Sequence, residues 1–178
     1  MNNNPFTVLQ TDRLVLRQVT QEDASVVLSG YSDKRVNQFM SVAYHSMEEI
    51  QTQLDWYNSL LAEESGIWWG ICLKEDGKMI GNGGFHKWEH LHRKAELGYW
   101  ILPEYQGKGL AAEAISAMIT HGFENMALHR IEAEVETENA PSSRILSKMG
   151  FELEGIKKEC EYINGRFIDL EFWAKLNI

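Results

Sequence analysis

Apolar and polar positions along this chain repeat with periods that separate strands from helices. Leu14, Val15 and Leu16 fall in a strand of about seven residues. Residues 22–31 can form a short helix. From Met47 the spacing changes: Met47, Ile50, Leu54, Tyr57 and Leu61 recur at intervals of 3, 4, 3 and 4, the stripe of an amphipathic helix. Ser46 and Glu49 read as its capping box, and residues 63–66 end it. Apolar runs at 67–73 and 78–85 flank Glu75-Asp76-Gly77 and predict a hairpin. A strand-like run at 94–102 leads into an Ala-rich helical run at 111–126. That helix exposes Glu113, Ser116, Thr120 and Glu124, and its remaining faces are apolar, as packing on a sheet demands. Residues 130–136 are a further strand, and 141–149 a short helix stopped by Gly150. Asn164-Gly165 is a strong two-residue hairpin turn between two last strands. The order predicts an α+β fold: a mixed, mainly antiparallel sheet of about seven strands with helices on both faces.

Composition narrows the class. At 178 residues, with no linker, repeat or low-complexity tract, one domain over residues 1–178 is expected. No apolar run approaches the roughly 18–20 residues a membrane span needs, and residues 1–5 lack signal-peptide character. Two cysteines, Cys72 and Cys160, are too few for a disulfide framework. These features predict a cytoplasmic protein with reduced thiols. The net charge of −9 argues against general nucleic-acid binding and suits either solubility or a cationic substrate.

The most informative chemistry lies in residues 103–111, Pro-Glu-Tyr-Gln-Gly-Lys-Gly-Leu-Ala, between a strand and a helix. Glycines there let main-chain N–H groups approach an anion, and the helix N-terminus adds partial positive charge. A phosphate or pyrophosphate is the expected ligand. Leucine at 110 excludes a Walker A loop, and alanine at 112 spoils a dinucleotide fingerprint. Gln106-Gly107-Lys108-Gly109-Leu110-Ala111 instead resembles the acetyl-CoA pyrophosphate loop of the GNAT acetyltransferase superfamily. Four further segments are similar to elements of that superfamily in the same order along the chain. They are Thr11 to Arg17, Ala95 to Ile101, the pair Asn139-Ala140-Pro141-Ser142 with Lys148-Met149-Gly150-Phe151, and Tyr162 to Asp169. The first, the second and the last resemble the branch of ribosomal-protein N-terminal (alanine or serine) acetyltransferases.

The resemblance implies a GNAT acyl-CoA N-acyltransferase fold and acetyl-CoA as donor. It implies that the loop, with Gln106, Gly107, Lys108, Gly109, Leu110 and Ala111, holds the pyrophosphate. The main chain of Trp100, Ile101 and Leu102 would pair with the pantetheine arm as an added strand, and Asn139 would bond the same arm. Asn139 is also a favoured helix N-cap. A direct transfer needs a base for the amine and a proton for the leaving thiolate. Two carboxylates compete as base. Glu96 lies on the strand entering the loop, where many members place one. Glu161 lies in the last hairpin, where the ribosomal branch has a catalytic Glu. With Asn164-Gly165 as turn, Glu161 pairs with Ile168, on the apolar face of Ile168, Leu170 and Phe172, where desolvation would raise its pKa; a bulge would reverse that facing. Many members place a tyrosine seven residues after the Asn; here that position is Leu146, which leaves Ser142 as candidate donor to sulfur or as a simple helix-start serine.

Other residues carry less. His86, His90 and His92 match no zinc spacing, and no metal is expected. Cys160 points away from Glu161's face, which argues against an acyl-enzyme. Trp88, in an expected loop at 85–91, is a core residue or a wall of the acceptor pocket. The resemblance implies an amine acceptor, first a protein α-amine, with a ribosomal protein N-terminus as the leading case. A small amine (polyamine, amino acid or aminoglycoside) or a non-catalytic acyl-CoA-binding module are the alternatives. No membrane or nucleic-acid partner is expected, and a homodimer is compatible with the sequence without being specified by it.

Overall fold

The computed structural model describes residues 6–178; residues 1–5, read above for signal-peptide character, lie outside them. The described residues form β1 (Leu9–Gln10), β2 (Leu14–Gln18), α1 (Ala24–Ser32), α2 (Lys34–Asn37), α3 (Met47–Ala62), β3 (Ile67–Leu73) and β4 (Met79–Glu89). Then follow β5 (Lys94–Ile101), α4 (Leu110–Glu124), β6 (Arg130–Glu136), α5 (Ala140–Lys148), β7 (Glu152–Ile163) and β8 (Arg166–Leu176). The strands make one sheet of eight in the order β1-β2-β3-β4-β5-β6-β8-β7. Only β5 and β6 pair in parallel. This is the expected mixed, mainly antiparallel α+β sheet. The two-residue β1 and the four-residue α2 are additions too short for a periodic signal.

Both faces of the central strands are covered, because β3 and the first half of β4 are buried at consecutive positions and so on two sides. One face carries Trp69, Phe85, Ala95, Leu97, Ile131 and Val135 against Ala114, Ile115 and Met118 of α4 and Leu146 of α5. The other carries Trp68, Cys72, Met79 and Trp100 against Val27 and Tyr31 of α1 and Ile50, Leu54 and Tyr57 of α3. Glu113, expected on the exposed line of α4, instead accepts hydrogen bonds from the Thr11 hydroxyl (2.6 Å) and the Arg13 N–H (2.8 Å), tying the β1–β2 turn to the helix.

Three local expectations are corrected. Met47 is 49 % exposed while Leu60 is buried, so the stripe of α3 turns toward Ile50, Gln53, Tyr57 and Leu60. Ser46 does cap α3, accepting the Glu49 N–H at 3.2 Å, but Glu49 takes the N–H of His45 (2.6 Å), one residue earlier than a capping box requires. The expected loop at 85–91 is strand as far as Glu89. There Trp88 packs against the core and stacks on His90 with centroids 4.0 Å apart, so it is not a wall of the acceptor cleft.

A polar network crosses the α1–α3 core. The Trp68 indole N–H donates to Asn82 Oδ1 (3.1 Å), Asn82 Nδ2 donates to the Tyr57 hydroxyl (2.9 Å), and the Tyr57 and Tyr31 hydroxyls share a hydrogen at 3.2 Å. Asn82 is fully buried, so every bond it makes is with protein. Asn82→Leu keeps the volume but strands the Trp68 N–H. Chemical denaturation should show a loss of about 2 kcal/mol, and a loss below about 0.5 kcal/mol would mean the network adds nothing.

Candidate functional site

The site begins where β5 and β6 stop pairing. Their register runs Lys94↔Arg130, Ala95↔Ile131, Glu96↔Glu132 and ends. Beyond it β5 pairs only with β4, and β6 only with β8, so the two strands open a fork through the sheet. A bulge in β4 sits beside this point: three steps from His86 to Glu89 face two from Glu96 to Lys94, with Lys87 at φ 50°. Such a bulge bends and twists its strand. The fork opens into a cleft of about 550 Å³. Tyr99 and Trp100 form one lip and Glu134 and Val135 the other; Asn139, Ser142 and Leu146 line it beside α5. On the opposite side of the sheet lie Tyr44, Gln53, Trp56, Trp68 and His86.

The glycine loop lies beyond the C-terminal end of β5. Gly107 and Gly109 have φ of 74° and 77°, which residues with a Cβ adopt only under strain. Gly109 caps α4, whose first internally bonded N–H is that of Glu113, onto the Gly109 carbonyl (3.1 Å). The N–H groups of Leu110, Ala111 and Ala112 are left for a ligand. A Cβ on Gly107 would meet nothing within 4 Å, so that face of the loop is open. The ammonium groups of Lys78 and Lys108 both lie 5.3 Å from the Tyr105 ring centre, and the Arg13 guanidinium donates to the Lys108 carbonyl (2.9 Å). The loop thus brings main-chain N–H groups and two lysine side chains together at the start of α4.

The structure gives several predicted residues definite local duties. Gln106 donates its side-chain amide to the Ile101 carbonyl (2.9 Å), bracing the loop. Leu110 is buried in the core. The Leu102 N–H is spent on Ile80 (2.8 Å), and the Trp100 carbonyl faces β4, where a Cβ on Gly81 would come within 2.2 Å of it. By the alternation of an antiparallel ladder, Tyr99 and the N–H of Ile101 turn their main chain to the fork. Asn139 caps α5, its Oδ1 accepting the Ser142 N–H at 3.3 Å, and it also lines the cleft. Both readings of Asn139 are thus compatible.

The acidic residues differ in their partners. Glu96 accepts from Lys87 Nζ (2.8 Å) and lies 3.3 Å from His86 Nε2. Burial works to raise its pKa, but these bonds outweigh it and hold the carboxyl below the usual range. Glu136, buried, is paired with Arg166, whose other contact is Glu138 at 3.3 Å. Among the described residues the ion-pair partner of Glu134 is Lys87, at 3.8 Å; burial, then the charge of Glu96, push its pKa up against that lysine. Glu161 pairs with Ile168, and Ile163 with Arg166, as the Asn164-Gly165 turn requires. The hairpin's two register shifts, between Lys157 and Glu161 and between Leu153 and Gly155, both lie on the far side of Glu161 from the turn, so the facing is not reversed. The expected desolvation does not follow, however. Ile168 is buried, but Glu161 is exposed, because β7 is the edge strand and no helix covers it there.

Two cleft residues escaped the sequence reading. Tyr99 reaches Ser142 with hydroxyl oxygens 2.8 Å apart. Nothing in the local pattern says which helix a strand residue will meet. Glu134 had a signal, since the alternation Glu132, Glu134, Glu136 puts three carboxylates on one face of a strand. Among the described residues no group of three or more His, Cys, Asp or Glu is arranged to hold a metal ion, and no helix is long and apolar enough to cross a membrane.

Comparison with known proteins gives a consistent picture. Residues 13–152 match the acetyltransferase (GNAT) domain family. The chain is 38 % identical over 170 residues to the uncharacterized N-acetyltransferase YoaA of Bacillus subtilis, covering 95 % of this chain and 96 % of that one. It is 30 % identical to the ribosomal protein uS5-alanine N-acetyltransferase of Escherichia coli, over 94 % of this chain and 90 % of the relative. The crystal structure of spermidine N-acetyltransferase from Vibrio cholerae in complex with CoA and spermine superimposes with a TM-score of 0.83 at 25 % identity, covering 93 % of this chain and 96 % of that one.

Gly109→Val puts a branched side chain at a left-handed position and into the approach to the α4 N-terminus. Calorimetric titration with CoA should show affinity lowered at least about tenfold in a protein that still melts cooperatively. Unchanged CoA affinity would remove the loop from the donor site.

Proposed function

This chain belongs to the acetyltransferase (GNAT) family and is an N-acetyltransferase that uses acetyl-CoA; we propose that its acceptor is the α-amine of a polypeptide, attacking directly in a ternary complex. The observation that carries this reading is how the cleft's charge is spent. Glu96 and Glu136 are committed to cations of the protein itself, and Glu134 shares Lys87. Glu161 makes no ion pair among the described residues. A polyamine needs several free carboxylates in a row, whereas one ammonium needs one or two. The rest of the acceptor wall is apolar or aromatic, with Phe39, Met40, Val42 and Trp56, which suits the first side chains of a peptide. The similarity to the uS5-alanine acetyltransferase supports a ribosomal protein as the target. The second reading, a small amine, rests on the structural likeness to the spermidine enzyme. In either case we place the reaction in the cytoplasm, with Cys72 and Cys160 as free thiols.

In this reading the glycine loop and the N-terminus of α4 anchor the donor, and the fork admits its thioester between Tyr99 and Val135. The amine enters from the side of Trp56 and His86. Glu161 takes the amine's proton. Its charge reaches Lys87 and the cleft residue Glu134, which supports this role. Glu96, held ionised by Lys87 and His86, serves electrostatically and positions Lys87. Ser142, on the α5 side of the fork, donates to the leaving sulfur.

Thiol release from acetyl-CoA, measured over a panel of N-terminal peptides, spermidine and single amino acids, tests the acceptor. Peptide-selective turnover is expected. Selective turnover of spermidine would favour the second reading, and tight CoA binding with no turnover a binding module. On the best acceptor, Glu161→Gln should lower kcat by about 10²-fold with CoA affinity unchanged, and the acid limb of the pH–rate profile should flatten. If Glu96→Gln is crippled while Glu161→Gln is near normal, the base is Glu96.

A further inference from the structure

The hydroxyl pair between β5 and α5 has no structural task that requires it. Tyr99 is half-buried, its ring resting on the apolar core that α4 and α5 share, and its hydroxyl reaches Ser142 Oγ at 2.8 Å. Both residues line the fork. The Ser142 main-chain N–H is already satisfied by Asn139, and α5 is capped by that same side chain, so the helix start does not depend on the Ser142 hydroxyl. One turn further along α5, on the same cleft wall, Leu146 is fully buried and offers no polar atom. Hydroxyl chemistry on this wall therefore converges on one point, supplied by two different elements.

The direction of the bond decides what the pair can do. A serine has one hydrogen and can accept while donating. If Ser142 donated to Tyr99, its hydrogen would be used inside the protein. If Tyr99 donates to Ser142, the serine's own hydrogen is free to point into the fork. Burial pushes the Tyr99 phenol above its ordinary range, opposed in part by the bond to Ser142, so the phenol keeps its hydrogen to donate throughout the neutral range.

Resting on the role of Ser142 proposed above, we infer that Tyr99 is a positioning residue for the leaving-group step, donating to Ser142 Oγ and so aiming the serine's hydrogen at the departing sulfur. The step balances. The amine nitrogen forms its bond to the acetyl carbon, the carbon–sulfur bond breaks, and the electron pair leaves on sulfur. Ser142 gives its proton to that sulfur and recovers one from cleft water, while the Tyr99 hydrogen bond stabilises the oxygen in between. The proton lost by nitrogen leaves through Glu161, one out for one in.

The test is a double-mutant cycle on the full chain, read in single-turnover rate, in KM for acetyl-CoA and in melting temperature. Tyr99→Phe keeps the ring and removes the hydroxyl. It should slow turnover about tenfold, with KM for acetyl-CoA and melting temperature nearly unchanged. Ser142→Ala should slow it by more, up to about 10²-fold, and the double variant should be no slower than Ser142→Ala alone, because the tyrosine acts only through the serine. Ser142→Thr, which retains a hydroxyl, should recover much of the rate. Wild-type turnover in Tyr99→Phe, or costs that multiply in the double variant, would overturn the role of Tyr99 and leave Ser142 standing. A full rate in Ser142→Ala would remove the serine's role, and the inference with it. A Tyr99→Phe variant that melts lower but turns over normally would assign the pair to packing.

Discussion

The early end of the β5–β6 ladder governs this molecule. A parallel pair that continued past Glu96 and Glu132 would have closed the sheet and buried its main-chain groups in hydrogen bonds. Instead each strand keeps one satisfied edge, with β4 or β8, and opens the other. Unpaired main-chain groups inside a protein are costly unless something else meets them. The fork is tolerable because it opens into a cleft, where solvent or an extended ligand can meet those groups. The bulge at Lys87 and the glycine loop at 106–109 sit at opposite ends of the free stretch of β5. They fix where the opening starts and where a donor's phosphates would rest.

The two sides of the sheet are staffed for different work. On the α4–α5 side the core is apolar apart from the buried His121 beside Trp69, and its polar features include the N-terminal N–H groups of α4, the Asn139 cap and the Tyr99–Ser142 pair. On the α1–α3 side a network of Asn82, Tyr57, Tyr31 and Trp68 runs through the core beneath the acceptor wall. Such a network, with both polar atoms of the Asn82 side chain bonded, rigidifies the wall, since a shift of Asn82 or Tyr57 would break two buried hydrogen bonds together. A thioester would be approached from one side and an amine from the other, with the fork as their meeting place.

Charge around the cleft is apportioned unevenly. Lys87 is shared by Glu96 and Glu134, and Arg166 by Glu136 and Glu138. Cations of the protein thus pair with Glu96, Glu134 and Glu136, whereas Glu161 makes no ion pair among the described residues. The negative net charge of the chain then works at long range, while the local pairing sets how much positive charge the cleft accepts.

Much of this was legible before folding. Period-2 and period-3.6 patterns placed the seven longer strands and the main helices. Asn164-Gly165 set the register of the last hairpin down to the pairing of Glu161 with Ile168, because a two-residue turn with both residues at positive φ admits one alignment. The glycine loop and its helix were readable because their geometry is local: two glycines at positive φ and the first N–H groups of one helix. What the chain alone left open depends on neighbours distant in sequence. Facing fixed the side of the hairpin on which Glu161 lies, but its burial depended on whether another element covers β7, and none does there. The ionisation of Glu96 depended on a bulge that carries Lys87 across to it. The hydroxyl beside Ser142 came from a strand 43 residues earlier, brought there by the packing of α5 on the sheet. Local sequence fixes periodicity, turn geometry and anion loops, because the forces behind them act within a few residues; only the assembled sheet decides solvation, charge pairing and which side chains meet.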